Sequence, residues 1–153
     1  MNYNEWEKTI PAVISDDMLW KMKVYRHALF LSDIAWLDVS KLMQDVRTKS
    51  LSDQLYRASG SIPANLEEGY SKLSAKDRAR FYEYALGSAR ESRGWYYRGR
   101  HVLGEEVFTH RAMLLTEIIK MLLKIVPEEC GMRINEEASE YKVESVWDEA
   151  VPF

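Results

Sequence analysis

Arg90, Arg93, Tyr97 and Arg100 follow one another at spacings of three, four and three, which sets them within a narrow arc of a helix. Guanidinium groups in such a row can hold phosphates, and an interleaved aromatic ring offers a face on which a base stacks. Lys72, Lys76 and Arg78 lie near the start of the same helical pattern, and Trp95 and Tyr96 add aromatic surface next to Tyr97. These residues are the candidate contact for RNA or single-stranded DNA. The same pattern also suits arginines that solvate a helix or pair with acidic groups of the C-terminal tail or of a neighbouring subunit.

Catalytic and metal chemistry find little footing. Helical bundles build di-iron sites from Glu-x-x-His pairs. The residues three before His27, His101 and His110 are Val24, Arg98 and Val107, so the pair is missing. Glu106 and His110 share a face, yet one His and one Glu do not make a metal site. Gly94 and Gly99 have the spacing of a phosphate loop but lack the Lys-Ser/Thr that completes it. Cys130, the single cysteine, has no neighbouring His to activate it, and it excludes an internal disulfide. The expectation is a non-enzymatic protein with no cofactor. Three polar residues fall on or beside apolar faces: Asn65, Ser88 and Glu91. They are expected to form a structural polar core, with Asn65 bonding backbone groups freed by Pro63 and Ser88 or Glu91 reaching it across the bundle. The alternative is a polar pocket for a small ligand.

Four helices must position these groups. The first is expected from a cap at Ser15 or Asp16 to about Asp38, with Trp20, Val24, Ala28, Leu31 and Ile34 on one face. The second runs from about Thr48 to Gly69 through Leu51, Leu55, Ala58, Ile62 and Leu66, with a kink expected near Ser59-Gly60-Ser61 because of Pro63. Ser74 caps the third, which keeps Phe81, Ala85, Ser88, Ser92, Gly99 and Leu103 on one face as far as Gly104. The fourth, from about Glu105 to Val126, carries two apolar rows, Leu114-Ile118-Met121-Ile125 and Leu115-Ile119-Leu122-Val126. So wide a face predicts that the row Leu115, Ile119, Leu122 and Val126 is an oligomer interface. Pro127 is expected to stop this helix. The fold class is therefore all-α, an antiparallel up-down-up-down four-helix bundle over residues 16–126 with an irregular acidic tail over 127–153, where Trp147 could anchor.

At 153 residues the chain suits one domain with one core. The formal net charge of −3 hides an asymmetry. Residues 41–101 hold twelve basic and seven acidic side chains, whereas residues 127–153 hold two and eight. A basic middle draws phosphates or acidic partners, and an acidic tail repels them or shields it. No apolar run reaches the length of a membrane span, and the first residues lack the pattern of a signal peptide, so the expected location is the cytoplasm.

Two blocks carry a family likeness. Gln54-Leu55-Tyr56-Arg57-Ala58 is followed by Ser61-Ile62-Pro63-Ala64-Asn65-Leu66-Glu67-Glu68-Gly69-Tyr70, and later by Arg80-Phe81 and Ala85-Leu86-Gly87-Ser88-Ala89-Arg90-Glu91. Over about residues 20–126 the chain resembles the bacterial four-helix-bundle proteins first noticed as reading frames within intervening sequences of 23S ribosomal RNA genes. The resemblance implies a homopentamer of antiparallel bundles without known enzymatic activity. It also implies kinship with accessory proteins of diversity-generating retroelements, basic pentameric barrels that bind nucleic acid and a reverse transcriptase. A reverse transcriptase is thus the specific alternative partner, held by a protein-interaction scaffold.

Overall fold

A computed structural model of the chain describes residues 2–131 and 146–153. All regular structure among these residues is helical. Two short helices, α1 (Tyr3–Glu7) and α2 (Ala12–Ser15), and a 3₁₀ turn (Met18–Lys21) precede four long ones: α3 (Lys23–Leu42), α4 (Lys49–Tyr70), α5 (Ala75–Leu103) and α6 (Glu105–Cys130). α3 packs on α4, α4 on α5, α5 on α6, and α6 returns to α3. Leu31, Ile34, Leu55, Ile62, Leu66, Tyr82, Leu114 and Ile118 fill the space between them.

The helix ends show where local chemistry overrides periodicity. The expected first helix does not start at Ser15 or Asp16. Asp17 instead accepts the Leu19 N–H at 2.8 Å and caps the 3₁₀ turn, and Met22 is extended before α3 begins. A capping box too short to show as a periodic pattern precedes these elements. Asn2 and Glu5 each accept the other's backbone N–H at 2.9 Å, which starts α1. α4 continues through Pro63 from end to end.

Pro127 does not stop α6, contrary to expectation. The helix runs on to Cys130, and Gly131 ends it in the left-handed region at φ 66°. Proline forfeits a single backbone bond, and here its ring is buried while Glu129, one turn-half later, pairs with Arg78 of α5 at 3.0 Å.

The two apolar rows of α6 face the interior of their own chain. Leu115 is 0% exposed, and Ile119, Leu122 and Val126 are likewise buried within the one chain. They lie in the core cluster with Leu114 and Ile118, while Met121 and Ile125 are half-buried at its edge, so the row expected to meet a second subunit is enclosed in the core of its own chain. α6 needs two apolar rows because it meets α5 on one side and α3 on the other, with Val146 and Val151 from beyond the helix buried in the same core.

Candidate nucleic-acid interface

Small residues set the position of α5. Ala79, Ala85, Ala89, Ser92 and Gly99 are all buried, so its backbone lies close to its neighbours, with Tyr82, Tyr96 and Leu103 packed between them and its charged side chains left for the flanks and outer face. At Gly69 of α4 the approach is closest, for a Cβ there would stand 2.7 Å from the Tyr82 ring.

On the flank of α5 that meets α6, three of the candidate residues come together. Tyr97 is 53% exposed, and the Arg100 guanidinium lies 3.9 Å from its ring centroid. Arg100 also donates to the Tyr97 carbonyl at 2.7 Å and stands 3.6 Å from Glu105. Phe108 of α6 meets the Tyr97 ring edge-on at 5.7 Å. One turn earlier the half-buried Arg93 donates to the Thr116 hydroxyl at 3.2 Å, which aligns its guanidinium along the seam. Arg90 is exposed nearly one turn further back. The result is a seam in which one exposed ring is covered by one arginine and preceded by two more.

The other candidates fall elsewhere. Lys76 is exposed near the start of α5. Lys72 pairs with Glu68 at 3.1 Å and lies over the Phe81 ring. Arg78 is a clamp at the end of the helices: it bonds Glu129 and the Lys72 and Leu73 carbonyls at 3.2 and 2.9 Å. Tyr96 is fully buried and offers no stacking face. Trp95 lies apart from the seam, where Arg98 covers its ring at 4.6 Å and Glu91 accepts its Nε1–H at 3.1 Å.

The expected polar core of Asn65, Ser88 and Glu91 is not there. Glu91 is exposed and turned to Trp95. Asn65 is half-buried and donates to the Ser61 carbonyl of its own helix at 2.7 Å. Ser88 gives its carbonyl to the Ser92 hydroxyl. The Asn65 and Glu91 side chains find their bonds on their own helices, so neither needs a partner across the molecule.

The buried polar centre lies instead between α3, α5 and α6. Arg111, 0% exposed, grips Asp38 with a two-pronged contact of 2.7 and 3.0 Å. The Tyr96 hydroxyl donates to the same carboxylate at 2.9 Å, and burial with the neighbouring Asp38 charge raises the phenol well above its ordinary range. Arg111 also donates to the Pro152 carbonyl and to His110 Nδ1. A signal for this centre exists in the sequence. Asp38 stands in register with Ile34 and Leu42, and Arg111 with Val107, Leu114 and Ile118, so opposite charges occupy apolar-stripe positions on two helices.

Among the described residues, no three or more His, Cys, Asp or Glu side chains are grouped to hold a metal ion, and no helix is long and apolar enough to cross a membrane. No curated protein matches the chain. A crystal structure of a protein of unknown function from the S23 ribosomal protein family of Bacteroides thetaiotaomicron VPI-5482 matches with a TM-score of 0.64. The two are 24% identical, and the match covers 67% of this chain and 97% of that one, a likeness of fold. A model of the 23S rRNA-intervening sequence proteins matches residues 20–124, most of the chain and all but the last turns of α6, and on that ground the chain belongs to the 23S rRNA-intervening sequence protein family.

Proposed function

We propose that this chain is a non-enzymatic oligomeric protein that holds RNA or single-stranded DNA along the α5–α6 seam. The four long helices are read as an antiparallel up-down-up-down bundle. Tyr25 early in α3 reaches Glu67 late in α4, Lys41 late in α3 reaches the Leu103 carbonyl, and Arg78 early in α5 reaches Glu129 late in α6. The observation that carries the function is the half-exposed Tyr97 ring with the Arg100 guanidinium on its face and Arg93 and Arg90 one and two turns before it. Successive phosphates of a strand can meet the arginines while an unpaired base lies against the ring or the guanidinium plane.

Self-association would multiply a weak seam by raising its effective concentration, and the family likeness favours a pentamer. With the Leu115 row of α6 buried, the exposed apolar side chains open to such a contact include a group on the α3 and α4 side, Trp36, Leu37, Met43, Val46 and Tyr56. That patch also favours a second reading, a scaffold for a protein partner such as a reverse transcriptase. Filter binding separates the two. Retention of a single-stranded RNA at low salt, lost as salt rises, supports the seam. No retention of RNA or single-stranded DNA, with capture of a protein partner that survives nuclease, supports the scaffold.

A further inference from the structure

Among the described residues only three buried side-chain nitrogens lack a hydrogen-bond partner: Arg26 Nε, His27 Nδ1 and His110 Nε2. Two of them are imidazole nitrogens, and both imidazoles lie against residues 146–153. Trp147 stacks on the His27 ring at 3.5 Å between centroids and 24° between planes. Its carbonyl accepts the Tyr3 N–H at 3.2 Å, and Asn4 donates to Asp148 at 2.8 Å. Val146 and Val151 are buried, and the Pro152 carbonyl takes an N–H from Arg111 at 3.1 Å. His110 lines a cavity of about 350 Å³ with Met113, Glu149, Ala150 and Pro152. We infer that residues 146–153 form a latch that acid releases, with His27 and His110 as the groups that sense it.

The surroundings of each ring set the sign. His27 faces the Tyr3 ring from α1 and Trp147 from the latch, and Lys23 and Arg26 lie nearby on its own helix. Glu7 of α1 is paired with Arg26 at 2.9 Å, and Asp148 is bonded to Asn4, so neither carboxylate partners the imidazole. Burial, then Lys23 and Arg26, pull His27 down to about 3. Arg111 has only donors, so it fixes His110 Nδ1 as the acceptor and leaves the proton on Nε2. Glu105, Glu106 and Glu149 line the same cavity and favour a charged ring, but burial and the Arg111 charge outweigh them and pull His110 down to about 4.

The closed latch therefore holds both rings neutral, while in water each takes a proton near pH 6.5. Its stability is complete above that value and falls as the pH drops through it. With Arg111 still beside His110 and Lys23 and Arg26 beside His27 after release, the ratio of open to closed rises by up to about 10³-fold between pH 8 and pH 5, at most some 30-fold from each ring. What opens is an aromatic pocket of Tyr3, Trp6, His27 and Phe30.

Fluorine NMR on the full chain labelled with 5-fluorotryptophan tests this, the Trp147 signal being identified with Trp147→Phe. The expected result is that this signal leaves its docked position between about pH 6.5 and 4.5 while circular dichroism shows the helices intact. His27→Phe keeps an aromatic ring under Trp147 but cannot titrate, and should lower the release midpoint by about one pH unit. Carbon-13 titration of the two imidazoles in the unaltered chain gives a reading without substitution: both should titrate together with release. The inference is overturned if Trp147 stays docked until the helices melt, if it is free at neutral pH, or if the imidazoles titrate while it remains in place.

Discussion

Arg111 has lost all contact with water, yet four of its five N–H groups have acceptors in Asp38, His110 and Pro152. Such a group is tolerable only while its partners stay, because a buried charge left alone is strongly unfavourable. Asp38→Ala should lower stability by ~3–5 kcal/mol in urea unfolding, whereas replacing Asp38 and Arg111 together by apolar residues should lose far less. Equal losses from the single and double changes would contradict that account. Asn65 is the contrasting case: half-buried and bonded only to its own helix, it should yield ~0.5–1.5 kcal/mol when changed to Ala. The same reasoning sorts the basic residues. Arg78→Ala should loosen the helix ends by up to ~1 kcal/mol and leave RNA affinity as it was, since its N–H groups are taken by Glu129 and the Lys72 and Leu73 carbonyls. The spacing of charges was legible in the sequence, but which of them find acceptors depends on what α6 and the α4–α5 turn bring within reach.

At the scale of elements, glycines discriminate packed from open helix surface. Gly69→Ala would push a methyl to 2.7 Å from the Tyr82 ring and 2.9 Å from the Phe81 Cβ, which should outweigh the gain in helix propensity and destabilise by ~1–3 kcal/mol. Gly87, with nothing within 4 Å of an added Cβ, should gain up to ~1 kcal/mol as Ala. Thermal melting of the two variants reads both, and a stabilised Gly69→Ala would refute the close α4–α5 contact. The four long helices are legible in the periodicity because each buries residues that recur every three or four positions, aliphatic on α3, α4 and α6 and mostly small or aromatic on α5. Periodicity misjudged their ends, where single hydrogen bonds decide: Asp17 holds a 3₁₀ turn before α3, and Gly131 rather than Pro127 ends α6. It also missed α1, whose five residues are too few for a repeat and are held by the Asn2–Glu5 box.

For the whole molecule, the width of the α6 apolar face was plain in the sequence but its meaning was not. A helix that touches two neighbours of its own chain needs the same two rows as one that touches a second subunit, and one sequence does not distinguish them. Any assembly must use other surface. If copies meet through the exposed Trp36 and Tyr56, whose rings stand 5.8 Å apart, then Trp36→Glu with Tyr56→Glu should reduce the mass seen by light scattering to that of one chain. Leu115→Glu should instead unfold the protein, because that side chain is wholly enclosed.

Fluorescence anisotropy of a labelled single-stranded RNA, titrated with the unaltered chain and with Arg93→Ala/Arg100→Ala across about 50 to 200 mM salt, bears most directly on the seam between α5 and α6. The unaltered chain should bind with an affinity that falls steeply with salt. The double variant should bind more weakly and lose about 0.7 of log–log slope for each phosphate contact removed. Equal affinity and equal slope for the two proteins would contradict the assignment of this seam.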